Sequence, residues 1–318
     1  MAIKTAIIGL GIMGRRMLEH MVRHPDYDVT AIWDPNTEAC TLAQALAPQA
    51  KITDSAETAW AGADLVYLAC PPVPRKAYTL AVAAAGKAIF LEKPLGVDIE
   101  ESRDLVARVR ASGVPAAVNF TQAAGAALTN VSAAATKGQL GDLVGVDIVV
   151  TYANWPREWQ KAADWLRFAD EGGMTREVIS HFLFFSERIL GPLELVWSRA
   201  DYPDDVLCET HVAARLVSVT GLPVTVMGSV GGAQPDRQEL TIKGAKMSRR
   251  ITDFYKDAAS EGGEFALVGE DYPDPRAVSL RAQLDDLKLL IEGKPNRLAT
   301  LDEALRVQIL IEGILAGK

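Results

Sequence analysis

Apolar residues run in short unbroken stretches through the first part of the chain: Ile3–Ile8, Val29–Trp33, Asp64–Ala69, Lys87–Leu91 and Ala116–Phe120. Between them apolar positions recur at helical spacing, as in Met13-Met17-Leu18-Met21 and Leu105-Val106-Val109. Strands that are apolar throughout, alternating with amphipathic helices, predict a parallel sheet covered on both faces. The alternation stops near Phe120. A predicted helix over about 124–137 then leads to a long strand, Val144–Tyr152, an aromatic loop and a helix over about 173–190. Val212–Val219 and Val224–Val230 are β-branched runs divided by Gly221-Leu222-Pro223, which predicts an antiparallel pair. Two helices, over about 275–292 and 300–315, close the chain; the second carries Leu301, Leu305, Ile309 and Ile311 on an apolar stripe. The pattern predicts two domains, 1–120 and 121–318, with a return of the closing helices onto the first as the alternative.

Composition narrows the class. A chain of 318 residues fits two domains, each with its own core. With 49% hydrophobic and 23% charged residues it is neither collagen-like, a coiled coil nor extensively disordered. Its 33 Lys and Arg against 41 Asp and Glu give a net charge of −8, and no basic block interrupts it. Nucleic acid and anionic membrane surfaces are therefore not expected partners. Cys40, Cys70 and Cys208 lie far apart without metal-ligand spacing and read as reduced thiols, so no metal is expected. The chain opens on a strand without a signal-peptide layout, and no run of about 18 apolar residues occurs. The expectation is a cytoplasmic protein.

Candidate chemistry begins at Gly9-Leu10-Gly11-Ile12-Met13-Gly14, between a predicted strand and a predicted helix. In such a turn the first glycine permits the bend, the second lets the backbone approach a pyrophosphate, and the third lets helix and strand pack closely. The helix N-terminus offers free N–H groups to phosphates. Asp34 ends the second strand about 20 residues on, where a carboxylate accepts both ribose hydroxyls and repels a 2′-phosphate. Asp34 as a helix cap ahead of Pro35-Asn36 is the plainer alternative. The expected cofactor is NAD, with NADP as the alternative, and the first domain is expected to be a Rossmann dinucleotide-binding domain. The fold class is thus α/β, a Rossmann domain followed by an α+β domain with a mainly antiparallel open sheet.

Glu92-Lys93-Pro94 follows a strand directly, at the carboxyl edge of the sheet where ligands bind. A lysine desolvated there can share a proton with a substrate hydroxyl. Pro94 fixes the turn and is a candidate for a cis peptide. These features resemble the glucose–fructose oxidoreductase and inositol dehydrogenase family (Gfo/Idh/MocA). The resemblance extends to Gly172-Gly173 followed by Glu177 and His181, and to the closing Leu301-Asp302-Glu303-Ala304-Leu305.

The resemblance implies that Lys93 contacts the reacting hydroxyl or carbonyl, that His181 is the general acid/base, and that Glu177 positions substrate or histidine. Glu177 and His181 lie one helical turn apart, and a carboxylate there can orient an imidazole and raise its pKa. A surface ion pair is the bland alternative for these two. His20, His24 and His211 have no such context.

The cofactor-binding candidates are Gly9, Gly11, Ile12, Met13, Gly14, Asp34, Cys70, Pro71, Glu92 and Lys93. Candidates for substrate binding, besides Lys93, Glu177 and His181, are Asn119, Gln122, Tyr152, Trp155, Trp165, Arg167 and Arg176. Trp155, Trp159 and Trp165, three of six tryptophans, fall within eleven residues. Such faces stack on sugar C–H groups or pack between domains or subunits, and Asn154, Arg157 or Arg167 could bond hydroxyls or an anionic group.

Three positions depart from the family's pattern. Glu177 stands where Asp is common, Arg75 occupies a histidine position in Cys70-Pro71-Pro72-Val73-Pro74-Arg75, and Asn119-Phe120-Thr121-Gln122-Ala123 lacks an expected arginine.

The expected activity is hydride transfer between nicotinamide and a secondary alcohol or carbonyl of a sugar, polyol or related ring. Alternatives are a cyclic imine or aromatic dihydrodiol as substrate, or a non-catalytic NAD(H) sensor. The glycine turn also looks like that of β-hydroxyacid dehydrogenases and imine reductases, whose second domain is all-helical; the β-branched runs oppose that reading. The resemblance further implies a homodimer or homotetramer acting on a small molecule.

Overall fold

The computed structural model describes residues 2–317. The chain divides into two compact units, Met1–Phe120 with Leu280–Leu305 and Thr121–Ser279 with Arg306–Lys318.

In the first unit, β1 (Ile3–Ile8), α1 (Ile12–Val22), β2 (Tyr27–Trp33), α2 (Thr37–Leu46), β3 (Lys51–Ile52) and α3 (Ala56–Ala61) form one half. The other half is β4 (Leu65–Leu68), α4 (Pro72–Ala84), β5 (Ala88–Glu92), α5 (Ile99–Ser112) and β6 (Ala116–Asn119). The strands lie in the order β3-β2-β1-β4-β5-β6, all parallel. Strand order reverses between β1 and β4, the switch point at which such sheets bind ligands.

Local signals place the helices. α1 buries Gly14, Met17, Leu18 and Met21 along one stripe. Asn36 caps α2 by accepting from the N–H groups of Glu38 and Ala39, and Asp98 caps α5 through Glu101. β3, two residues long, has no apolar run to announce it. Leu280, Leu284 and Leu287 join the core around Ile7, Met17, Tyr67 and Phe90. Their spacing of four and three residues makes one helical face, and that face is buried in the first unit's core.

The second unit begins with α6 (Ala126–Thr136) and β7 (Leu143–Tyr152), followed by α7 (Ser180–Leu190), β8 (Leu193–Asp201), β9 (His211–Ser218) and β10 (Pro223–Val230). It continues with β11 (Arg237–Gly244), β12 (Ser248–Thr252), β13 (Lys256–Ser260) and β14 (Ala266–Leu267). The chain closes with α8 (Pro275–Ile291) and α9 (Leu301–Leu315). The sheet order is β14-β13-β12-β11-β7-β10-β9-β8. The predicted pair is antiparallel, with Val224 opposite Leu216, while β7 and β10 run parallel and every other neighbour is antiparallel. The fold is therefore α/β, a Rossmann sheet with a second, mostly antiparallel sheet.

The helix expected over 173–190 divides in two. Thr175–Ile179 form a π-turn and α7 starts at Ser180, whose N–H reaches back to the Thr175 carbonyl. α7 is buried nearly all round, with Phe182, Leu183, Phe184 and Phe185 inside. Arg306 of α9 donates to Glu187 at 3.0 Å and fastens the two helices.

Candidate active site

The glycine turn follows β1 at the switch point. Gly9 has φ +91°, and a Cβ there would lie 2.6 Å from the Cys70 nitrogen after β4. A Cβ on Gly14 would overlap the Gly9 carbonyl oxygen. The fold itself therefore demands both glycines. Gly11 differs: it is extended, and a Cβ there would meet nothing within 4 Å. Its freedom from protein contacts leaves room above the N-terminus of α1, with Ile12 and Met13 half-buried in the first turn. A dinucleotide pyrophosphate fits such a cradle.

Asp34 directly follows β2 and accepts from the Leu10 N–H at 2.7 Å and the Asn36 N–H at 2.8 Å. The cap of α2 is Asn36, so Asp34 is left beside the glycine turn, half-buried. Cys70 is buried and Pro71 exposed at the mouth of α4, on the same sheet edge.

Lys93 follows β5 on that edge, half-buried, and its peptide bond to Pro94 is cis. The loop is fastened on both sides of the lysine. The Arg75 guanidinium donates to the carbonyls of Glu92 (2.8 Å), Pro94 and Cys70. The Glu92 carboxylate accepts from the Tyr67 hydroxyl and from Asn119 Nδ2 at 2.6 Å, and Gln283 donates to Asn119 at 2.9 Å. Burial pushes the Glu92 carboxyl above its usual range against these hydrogen bonds and the Lys93 charge. Burial, then the Glu92 charge, pushes the Tyr67 phenol up, so it remains a donor.

Asn119 was placed by sequence among substrate-binding residues. The structure spends its amide on Glu92 and Gln283 and buries it to 1% exposure, so it supports the lysine loop instead.

In the second unit, Glu177 lies half-buried in the π-turn and His181 in the first turn of α7, 7% exposed. The edge of the His181 ring meets Phe254 at 5.3 Å, and Phe254 stacks on Phe182 at 5.2 Å. Phe254 has φ +69° and its carbonyl accepts from Gln122 Nε2 at 3.0 Å. Gln122 thus holds a turn packed on the histidine, and it also lines a cavity of about 380 Å³ with Asn130, Tyr255 and Ser279.

Upstream, Glu209 accepts from the Thr175 N–H at 2.7 Å and its hydroxyl at 2.6 Å, at the start of the π-turn. Gly173, with φ +101°, makes room for this carboxylate, because a Cβ would overlap it. Arg176 is also committed: it pairs with Glu312 at 2.8 Å and donates to the Ala169 and Gly172 carbonyls. With its guanidinium occupied, it braces α9 against the glycine pair and is removed from the substrate-binding candidates.

The aromatic loop gathers around Arg157. Tyr152 is fully buried and Trp155 half-buried, their rings 5.4 Å apart, and Trp155 Nε1 donates to the Leu166 carbonyl at 2.9 Å. Trp165 is half-buried, while Arg167 is exposed and pairs with Asp164 at 3.0 Å. Glu177 acts electrostatically on both Tyr152 and Arg157, so the acid and this loop share one neighbourhood.

Tyr67, Gln283, Phe254 and Glu209 carry no sequence motif; they are single polar or aromatic residues whose partners lie far along the chain. Arg75 was visible only as a departure from the histidine.

The parallel sheet, its switch point and the glycine turn are those of a dinucleotide-binding domain. Residues 3–120 match the family model GFO_IDH_MocA, described as an oxidoreductase family with an NAD-binding Rossmann fold. The likeness in sequence is thus to the NAD-binding part of that family and lies within the first unit. It is similar to an inositol 2-dehydrogenase from Acidiphilium cryptum, with 39% identity over 102 residues, 30% of this chain and 30% of that relative. The match thus spans less than a third of that protein's length.

Solved structures resemble the whole chain. An oxidoreductase from Agrobacterium radiobacter, in complex with NAD+, L-tartaric acid and magnesium, has a TM-score of 0.84 at 15% identity, covering 98% of this chain and 95% of its own. A 3-ketoreductase from Actinomadura kijaniata, in complex with NADP and TDP-benzene, has a TM-score of 0.83 at 19% identity, covering 100% and 98%. At these identities the likeness is one of fold. Among the described residues no helix is long and apolar enough to cross a membrane.

Proposed function

We propose that this protein is a nicotinamide-dependent oxidoreductase acting on a secondary alcohol or the corresponding ketone of a polyol or sugar ring. The observation that carries the proposal is the fastening of Glu92-Lys93-Pro94 by Arg75, Tyr67 and Asn119 on the sheet edge that also bears the glycine turn. When bound, the cofactor supplies C4 of its nicotinamide as hydride acceptor or donor.

Gly9, Gly11, Ile12, Met13 and Gly14 would hold the pyrophosphate, with Cys70 and Pro71 beside it. Asp34 would take the ribose hydroxyls, which favours NAD. In oxidation, the substrate C–H bond yields its electron pair with the hydrogen, and His181 takes the hydroxyl proton. Lys93 steadies the oxygen as it gains negative charge. Glu177, close to His181 in sequence and on the preceding turn, would set the imidazole's orientation.

We also propose that the protein self-associates through its second sheet. Trp197 and Met227 are 49% and 59% exposed on one face of it, and light scattering after gel filtration reads the subunit number.

The decisive experiment compares wild type with Lys93→Met, using NAD⁺ and NADP⁺ against polyols, aldoses, sugar acids and cyclic amines. The expected result is turnover by wild type, reduced at least about 100-fold in the variant at unchanged NADH affinity. Equal turnover in Lys93→Met removes the lysine from the chemistry. NADH binding without turnover of any compound replaces the proposal with an NAD(H) sensor.

A further inference from the structure

Two arginines of the second unit lack the carboxylate that a desolvated guanidinium ordinarily has. Arg157, in the loop after β7, is half-buried among three rings: its guanidinium lies 5.2 Å from Tyr152, 5.7 Å from Trp155 and 4.7 Å from Trp159. Its Nε donates to Gln160 at 2.8 Å, and one terminal nitrogen reaches the Tyr152 hydroxyl only at 3.4 Å. Arg276, in the first turn of α8, is likewise half-buried and lies 5.5 Å from the same Trp159 ring. Among the described residues neither guanidinium forms an ion pair within 4.0 Å. The fully buried arginines of this unit behave otherwise, for Arg176 pairs with Glu312 and Arg249 with Asp257.

This arrangement is unfavourable as it stands. Burial opposes the charge on Arg157, and Arg276 adds repulsion. Glu177 and Asp236 attract Arg157 only from beyond salt-bridge range, and Asp236 is already engaged with the Ala153 N–H at 3.2 Å. Aromatic faces lower the cost of holding cations but supply no carboxylate or carbonyl acceptor to their N–H groups. A small oxyanion between the two arginines would satisfy those donors and cancel the repulsion, since planar guanidinium groups match carboxylate and phosphate oxygens. Of the rings beside them, half-buried Trp155 and exposed Trp159 are the ones a sugar could reach. The pair also lies within electrostatic reach of Glu177, so a ligand anchored there is near the proposed acid/base group.

We propose that Arg157 and Arg276 bind an oxyanion carried by the substrate, so that the enzyme acts on an acidic sugar or polyol in preference to its neutral counterpart. The chemistry of this substrate rests on the oxidoreductase reading above; the anion site itself does not.

The test is calorimetric binding to the NADH-loaded protein. D-gluconate is compared with D-glucitol, and D-glucuronate and D-glucose 6-phosphate with D-glucose. At least one acid is expected to bind about 30-fold or more tightly than its neutral partner. Which acid shows the preference separates carboxylate from phosphate. Added salt should weaken the preference. Arg157→Gln and Arg276→Gln should each collapse it towards unity, while Arg157→Lys, which keeps the charge but loses the planar fork, should retain part of it. Thermal melting checks folding, and Arg276→Gln keeps the test open if loss of Arg157 unsettles the aromatic loop.

The proposal is overturned if no acid outbinds its neutral partner, or if the preference survives both Gln substitutions. Arg157-dependent binding of acids without reduction of NAD⁺ or NADP⁺ keeps the anion site and removes the oxidoreductase reading. Turnover of neutral compounds with no preference for acids does the reverse.

Discussion

A terminal nitrogen of Arg75 lies 2.8 Å from the carbonyl oxygen of Glu92, the residue immediately before Lys93. The same guanidinium also donates to Pro94 and Cys70, so one side chain on α4 ties the loop after β4 to the loop after β5. Where the resembled family has a histidine, this chain has a longer, permanently charged fork. The fork reaches three carbonyls at once, which an imidazole with two ring nitrogens cannot do. The departure thus makes physical sense within this chain.

Replacing Arg75 by Leu should leave three buried carbonyls without donors. We expect a loss of about 3–5 kcal/mol in urea unfolding and a larger fall in kcat than in NADH affinity. Arg75→Lys, with one ammonium on a flexible stem, should recover only part of each. Unchanged unfolding in Arg75→Leu would show that the loop is held by Tyr67 and Asn119 alone.

The glycine turn, the apolar strands of the first sheet and the antiparallel pair of β9 and β10 were legible because local patterns encode them. A glycine spacing, a run of apolar residues and a Gly-Leu-Pro break need no distant partner. The return of Leu280, Leu284 and Leu287 to the first unit's core was less legible, because a stripe of leucines marks a buried face without naming what buries it. The π-turn at Thr175–Ile179 was invisible for the same reason. Its start is held by Glu209, a lone acid 34 residues from the Thr175 it bonds. Asn119 and Arg176 were assigned by neighbourhood in sequence, whereas their amide and guanidinium groups were settled by Gln283 and Glu312, far along the chain.

Gly11 and Gly14 should respond oppositely to the same substitution. Gly14→Ala places a methyl into the Gly9 carbonyl and should cost about 1–3 kcal/mol or prevent folding. Gly11→Ala meets no protein atom within 4 Å and should melt close to wild type. Its NADH affinity, read by fluorescence titration, should still fall about tenfold or more, a difference of roughly 1.4 kcal/mol. Undiminished affinity in Gly11→Ala would place the pyrophosphate elsewhere.

Asp34 offers a test of cofactor choice. Its carboxylate accepts from the Leu10 N–H at 2.7 Å, which fixes it beside the turn with lone pairs to spare. Asp34→Ala should lower the NAD-over-NADP ratio of kcat/KM by about tenfold or more. Loss of the two backbone hydrogen bonds should cost about 1–3 kcal/mol in stability. An unaltered ratio would mean that the ribose is recognised by another group.

The buried Glu209 should leave a signature in the pH dependence of folding. Burial raises its carboxyl above the ordinary value of 4.5, with the two Thr175 hydrogen bonds acting in the other direction. The folded protein therefore holds this proton more tightly than the unfolded chain does. Stability associated with the group is fully present below pH 4.5 and declines as pH rises through the folded value, because the folded state must then carry a buried charge. Glu209→Gln removes the titration and retains an oxygen able to accept from Thr175. The unfolding free energy of wild type minus that of the variant should thus be level at low pH and fall as pH rises above about 4.5. Equilibrium urea unfolding from pH 3.5 to 8 measures it, and a difference independent of pH would mean that Glu209 does not carry a raised pKa in the folded protein.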